Sequence, residues 1–311
     1  MLILAPMQGL TEVLFRRVYE RHFPKALDYA VSPFLSLTHG TVASDEQLDD
    51  VLPENNVGSM RVVPQLLGKE KEEFVVMAEG LQKLGYDEVN WNIGCPMRRV
   101  AAKHRGSGIL PFPDEIDEVL RYVTARVGVA LSVKMRIGHR SGDESERVID
   151  VLNAYDLKSV TIHPRTGKQQ YGGTPDLQRF GECLKRLRHK VIYNGDICTA
   201  EDYNSIVQRF GVHDVMIGRG VLYDPSLPLK IRGEECDSRK RAADMVQDLM
   251  DEIVRVFPAD QPRVRKMKEY WCLAYRSLGV VESRARELLR LEGYEEFKKG
   301  VEQEVERLKV G

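Results

Sequence analysis

The sequence predicts an α/β protein: a (β/α)₈ TIM barrel followed by a small all-α helical-bundle domain. Three observations carry this. Short apolar runs closed by Gly or Pro alternate with amphipathic stretches from Leu2 to Ile217, the order that parallel strands and covering helices require. Polar residues fall in the C-terminal parts of those runs or just beyond them, at Gln65, Asn92, Cys95, Lys134, His163, Asn194 and Arg219, where barrels of this class place their chemistry. After Pro228 the strand signal stops and only helical patterns follow. No G-x-G-x-x-G follows the first run, which disfavours a doubly wound sheet. The 311 residues, 42% of them hydrophobic, suffice for one large domain and one small one. The expected bounds are 1–232 and 233–311.

Leu2–Met7 reads as the first strand, too short and too lacking in basic residues for a signal peptide or a membrane span. Thr11 is placed to cap the next helix, whose inner face carries Leu14, Phe15, Val18 and Tyr19. Tyr29–Ser32 is a second strand ending at Pro33, and Arg61–Leu67 a third ending at Gly68. Phe74, Val75, Ala78, Leu81 and Leu84 then recur at helical spacing, with Gly85 as the stop. Glu88–Asn92 is the fourth strand. A long loop from Cys95 to Pro113 precedes a helix over Asp114–Val127. Ala130–Arg136, Ser159–His163, Lys190–Asn194 and Asp214–Ile217 complete the eight strands. A helix over Glu144–Tyr155 and one from Thr199, as cap, to Phe210 lie between them; Pro164-Arg165-Thr166-Gly167 and a polar loop to Pro175 follow the sixth strand. Glu234–Arg241 is charged and reads as a linker. Helices are predicted over Lys240–Val256, Arg263–Ser277, Glu282–Leu289 and Tyr294–Leu308, with breaks at Pro258, Pro262, Gly279 and Gly293.

A net charge of −1 excludes a global nucleic-acid signature, so any such contact must rest on local patches. The five cysteines, Cys95, Cys183, Cys198, Cys236 and Cys272, are odd in number and form no C-x-x-C. That argues against a disulfide framework or a metal site and fits a reducing cytoplasm.

The stretch Glu88-Val89-Asn90-Trp91-Asn92-Ile93-Gly94-Cys95-Pro96 runs like a buried strand into a breaker pair that holds one thiol. Most lone thiols are small buried hydrophobes, but this one sits at a strand's C-terminal end. Lys134 lies within an apolar strand, where Lys is rare unless paired or used; a cation at that depth suits an electron-rich ring or an anionic flavin. The amide of Gln65 offers a donor and an acceptor that match the pyrimidine edge of a flavin or a base. Asn194-Gly195-Asp196 and Gly218-Arg219-Gly220 end adjacent strands, a corner that often binds phosphate in barrels, although Gly-rich turns are also ordinary turn chemistry. Arg98, Arg99, Lys103, His104 and Arg105 follow Cys95 and could hold polynucleotide phosphates or form a solvated loop. Arg263, Arg265, Lys266 and Lys268 form a second basic stretch, while Tyr270, Trp271 and Tyr275 fall at core spacing.

These motifs together resemble the tRNA-dihydrouridine synthase family. The resemblance spans nearly the whole chain: Ala5-Pro6-Met7, Gln65-Leu66-Leu67-Gly68, Asn92-Ile93-Gly94-Cys95-Pro96, Val133-Lys134-Met135-Arg136, His163-Pro164-Arg165-Thr166 with Tyr171-Gly172, Asn194-Gly195-Asp196 and Ile217-Gly218-Arg219-Gly220. It implies an FMN-bearing barrel that reduces the C5–C6 double bond of a uridine in tRNA, with NADPH as reductant, and a C-terminal helical region that binds the tRNA. It further implies Cys95 as proton donor. Pro6, Met7, Gln8, Gln65, Lys134 and His163 would lie around the isoalloxazine, and Asn194, Gly195, Asp196, Gly218 and Arg219 around the ribityl chain and phosphate. Asn92, Arg99, Arg136 and Arg165 would contact the substrate. No metal is implied, and a cytoplasmic monomer is expected. Gln8, Arg99 and Pro164 depart from the family's usual residues and bear on which uridine is chosen and how the loop grips RNA.

Two rival readings stand beside this one. An FMN barrel acting on a free pyrimidine would share the thiol turn but needs no appended helical domain. A non-catalytic RNA-binding barrel would not need Cys95, Lys134 and the phosphate corner together.

Overall fold

Eight parallel strands close into a barrel in sequence order. They are β1 (Leu2–Leu4), β2 (Tyr29–Ser36), β3 (Arg61–Leu67), β4 (Glu88–Ile93), β5 (Ala130–Gly138), β6 (Val160–Thr166), β7 (Val191–Tyr193) and β8 (Val215–Ile217). β8 pairs with β1 to complete the ring, Leu2 opposite Val215. This is a computed structural model, and it describes residues 1–37, 44–235 and 237–310. Cys236 lies outside the described residues.

Alternation sorts each strand into two faces. Val89, Trp91 and Ile93 of β4, Leu131, Val133 and Met135 of β5, and Val160 and Ile162 of β6 belong to the large apolar core shared with the helices. The residues between them therefore face the barrel interior: Glu88, Asn90 and Asn92, then Ser132, Lys134 and Arg136, then Thr161, His163 and Arg165. The opposite wall of the interior is apolar, formed by Ile3, Ala5, Tyr29, Val31, Val63, Ile192 and Met216. The barrel thus has one oily half and one polar half, and the candidate residues of β4–β6 are the polar half.

Several local expectations are corrected. Thr11 does not cap the first helix, which spans Val13–His22 and follows Glu12. Its hydroxyl instead accepts from Met7 N and donates to Ala5 O, at 2.8 and 2.9 Å, tying down the loop after β1. β2 continues through Pro33 to Ser36 because a register shift between Val31 and Phe34 absorbs the missing N–H. The loop after Cys95 contains a short helix, Arg98–Ala101, and a 3₁₀ turn, Gly106–Ile109. A helix over Leu177–Arg186, with Phe180 and Cys183 buried, lies between β6 and β7, where the sequence pattern predicts none. Pro262 lies in the first turn of the Asp260–Ala274 helix, where no N–H is needed. The preceding helix already starts at Ser238, inside the expected linker.

The four C-terminal helices, Ser238–Val256, Asp260–Ala274, Glu282–Arg290 and Tyr294–Val310, pack on the β8–β1 side of the barrel. Ser238–Val256 lies against the Val13–His22 helix, and Asp260–Ala274 against the short Arg219–Tyr223 helix. Tyr270 stacks on Phe15 at 6.0 Å, and Tyr270, Trp271 and Tyr275 are core residues, as their spacing predicts. Lys266 joins these helices to the loop after β1. It is 9% exposed, and its Nζ donates to Gly9 O at 2.7 Å and Glu12 Oε2 at 2.6 Å. Arg263 is likewise engaged, with Phe257 O at 2.7 Å and Asp260 at 3.2 Å. Replacing Lys266 with Ala strands the Gly9 carbonyl and the Glu12 carboxylate at the junction. Chemical denaturation should show a loss of about 1–3 kcal/mol; unchanged stability would mean that this contact does not hold the helices to the barrel.

Candidate active site

The site is built on the end of β4. Asn92 Oδ1 accepts from both Gly94 N (3.0 Å) and Cys95 N (2.9 Å), so one side chain turns the backbone and sets the thiol's position. Ser107 N donates to Cys95 O at 2.9 Å, bringing the far end of the loop back onto it. Gly106 has φ +54, and a Cβ there would lie 2.7 Å from Cys95 O, so only glycine fits this return.

Asn92 is itself held by a chain of buried polar groups. Its Nδ2 donates to Gln65 Oε1 (2.7 Å), Gln65 Nε2 to Asn90 Oδ1 (2.7 Å), Asn90 Nδ2 to Ser132 Oγ (2.9 Å) and Ser132 Oγ to Glu88 Oε1 (2.7 Å). Glu88 anchors the lower end through Arg61 and Lys158, at 2.7 and 2.8 Å. Gln65 is 0% exposed. Its amide is held between Asn92 and Asn90, and it does not itself line the cavity.

Arg136 also supports the loop. Its Nε donates to Gly94 O at 3.1 Å, and its Nη1 to Thr166 O and Gln170 O at 2.9 and 2.7 Å. It thereby ties the loop after β4 to the loop after β6. Arg165 is 1% exposed. It donates to Gly172 O and Gly173 O, to both oxygens of Asp196 and to His163 Nε2. Arg165 thereby orients its neighbours and does not itself line the cavity. Because a guanidinium only donates, His163 Nε2 accepts, and the ring proton sits on Nδ1. Arg99 is exposed on the Arg98–Ala101 helix, outside the cavity.

Pro6, Met7, Gln8, Asn92, Cys95, Lys134, Arg136, His163, Asn194, Gly195, Asp196, Gly218 and Arg219 line one cavity of about 460 Å³ at the C-terminal mouth of the barrel. β4 and β8 stand four strands apart in the ring, so Cys95 faces the glycine corner after β7 and β8 across this space. Asn194 Nδ2 donates to Met216 O at 2.7 Å and locks those two strands. Leu273, from the C-terminal helices, also lines the cavity. It had no sequence signal, because only long-range docking brings it there. Tyr171, 54% exposed, covers the mouth with the guanidinium carbons of Arg219 and Arg136 at 5.0 and 5.6 Å from its ring centre.

The electrostatics are lopsided. Lys134, Arg136, Arg165 and Arg219 lie around the cavity, and Asp196 pairs with two of them, Arg165 and Arg219. Burial alone would raise the Asp196 pKa, but Arg165 and Arg219 outweigh it and hold the group below its ordinary range. Burial, with Arg136 adding, pushes Lys134 down to about 7; among the described residues its ammonium has no hydrogen-bond or ion-pair partner. Burial and the four surrounding cations keep His163 neutral. Burial also pushes the Cys95 thiol up, against the Met97 N–H and the nearby cations. Among the described residues no cluster of His, Cys, Asp and Glu could hold a metal ion, and no helix is long and apolar enough to cross a membrane.

Residues 3–290 match the family model described as dihydrouridine synthase. The chain belongs to the dihydrouridine synthase family. It is therefore an enzyme, an oxidoreductase. Family relatives include a protein named probable tRNA-dihydrouridine synthase in Staphylococcus epidermidis, 28% identical over 240 residues and covering 72% of this chain and 69% of its own. Another is tRNA-dihydrouridine synthase B of Pasteurella multocida, 28% identical over 227 residues, with 73% and 67% covered. Among solved structures, an old yellow enzyme homologue from Zymomonas mobilis shares the barrel fold at 15% identity and a TM-score of 0.54, covering 76% of this chain and 90% of that one.

A neutral thiol makes a specific prediction. Alkylation of Cys95 by iodoacetamide, followed by peptide mass spectrometry, should have its pH midpoint above that of free cysteine. A midpoint at or below free cysteine would contradict the desolvated, proton-bearing state.

Proposed function

We propose that this protein reduces a uridine in tRNA to 5,6-dihydrouridine, with FMN as the bound cofactor and NAD(P)H as reductant. The observation that carries the proposal is the single cavity in which a protonated thiol faces a glycine corner, with an unpartnered lysine lining the same space. The family assignment favours an RNA substrate over a free pyrimidine.

The residues present fit a flavin. Lys134 is a half-buried cation that lacks an anion among the described residues, and a negative charge beside it would restore its full protonation. His163 Nδ1–H and the Asn194 side chain add polar groups to the same wall. Gly195, Gly218 and Gly220 line the cavity at the corner after β7 and β8, and Arg219 adds a cation there that suits a phosphate. When bound, FMN supplies the hydride that C6 of the uracil requires.

The chain's own task is the proton. Addition of hydride at C6 leaves negative charge toward C5 and its neighbouring carbonyl, and a group on the opposite face must protonate C5. A thiol with a raised pKa is fully protonated near neutrality and carries that proton at Sγ. Asn92 and Ser107 hold its backbone on both sides, so the proton is delivered from a fixed point. The uridine must leave its stack to enter the cavity, and Tyr171 at the mouth offers an aromatic face during that passage. In this reading the helical region beyond residue 233 contacts the tRNA body, and a cytoplasmic monomer is the working form.

Cys95→Ala should retain FMN and its reduction by NADPH but lose turnover on tRNA by about 10²-fold or more. Lys134→Met should instead reduce flavin content, read from the visible spectrum of the purified protein. Full turnover in the Cys95 variant would remove the thiol from the mechanism, and full flavin content in the Lys134 variant would remove the ammonium from the cofactor site.

A further inference from the structure

A second groove of about 480 Å³ adjoins the active cavity, and Pro96 lines both. Its walls come from the loops after β4, β5 and β6. Arg98, His104, His139, Arg140 and Lys168 line it, and no carboxylate does. Arg98, Arg140 and Lys168 are exposed, and among the described residues none of their side chains has an ion pair or hydrogen bond. This contrasts with their neighbours: Arg105 binds Glu70, and Arg179 binds Asp143, Glu146 and Glu182. Three free cations around one concavity repel one another unless an anion enters.

The groove is also a built surface. His139 Nδ1 lies 3.0 Å from Ser107 Oγ, and a Cβ on Gly167 would come within 2.5 Å of the same nitrogen, so this part of the floor is close-packed. The His104 ring stacks on Phe112 at 4.0 Å and 13°, and its Nδ1 is fixed by Glu115 at 2.9 Å. His104 (φ +52) and Gln170 (φ +50) both hold left-handed backbone, a strain that clusters at ligand sites. Burial lowers the His139 pKa, and Arg140 and Lys168 lower it further against Glu144, as a positive potential requires.

Topology separates this groove from the expected RNA path. The C-terminal helices lie on the β8–β1 side of the ring, whereas the groove lies around β5. RNA held by those helices reaches the cavity from the other side. The groove has the volume of a nucleotide site, a flat aromatic and imidazole surface, and a dense cluster of cations. A phosphomonoester, with nearly two negative charges near neutral pH, fits that cluster better than a singly charged diester.

We propose that the groove takes the adenosine end of the dinucleotide reductant, with Arg98, Arg140 and Lys168 around a ribose 2′-phosphate, and thereby selects NADPH over NADH. The proposal rests on the reductase reading above. The test is calorimetric titration of the flavin-bearing full chain with adenosine 2′,5′-bisphosphate and with 5′-AMP. The wild type should bind the bisphosphate at least about tenfold more tightly. The triple variant Arg98→Ala, Arg140→Ala, Lys168→Ala should lose that preference, with flavin content and the rate of flavin reduction by NADH unchanged. Equal affinity of the wild type for the two probes overturns the proposal. So does a triple variant that keeps its NADPH preference but loses tRNA affinity, which would make the groove a phosphodiester site. Protein that never carries flavin would sink the reductase reading, while the nucleotide titration would still decide the groove.

Discussion

The structure depends on the buried hydrogen-bond chain that climbs from Glu88 through Ser132, Asn90 and Gln65 to Asn92 and the Cys95 turn. Donors and acceptors match in only one sense along it. Turning over any one amide would set N–H against N–H or oxygen against oxygen. Each broken link inside the barrel costs about 1–3 kcal/mol, so a carboxylate at the bottom of β4 dictates which way the Asn92 carbonyl points at the top. That carbonyl gathers two consecutive N–H groups and places the thiol. The polar half of the barrel interior is therefore a positioning device, supported by the apolar half across from it.

A second constraint is charge. The site collects four cations, and its carboxylate, Asp196, is already shared by Arg165 and Arg219. Arg136 spends its donors on three backbone carbonyls. What stays unsatisfied among the described residues is Lys134, and its partial burial makes that charge hard to sustain without a partner. An anionic occupant relieves it. The same surroundings that depress Lys134 leave His163 neutral, so one wall offers a cation and a neutral donor, and Cys95 a proton.

Much of this was legible in the chain. The eight strands follow from short apolar runs closed by breakers, and the Arg61–Leu67 strand is placed residue for residue. Lys134 and Cys95 stood out because each breaks the expected chemistry of its strand or turn, and both line the cavity. Other features depend on partners distant in sequence. Gln65 and Arg165 carry the right atoms for ligand contact, but Asn90 and Asn92 engage one, and Asp196 with the Gly172–Gly173 carbonyls engages the other. Period-two alternation tells which side chains face inward; it does not tell which layer they occupy. Asn90 and Ser132 carry that inward signal, but they lie below the strand ends where the chemistry of such barrels is sought. Thr11 looked like a cap because Ala5 and Met7, its true partners, lie on the other side of a turn. Lys266 looked like a surface cation because Gly9 and Glu12 are more than 250 residues away.

The most direct measurement is made on the purified protein with an unmodified tRNA transcript and NADPH, with nuclease fragments weighed by mass spectrometry. A uridine-bearing fragment heavier by two hydrogens, formed only when both protein and NADPH are present, is the predicted result, and its sequence identifies the position. A protein whose flavin is reduced by NADPH while every tRNA fragment keeps its mass would contradict the account.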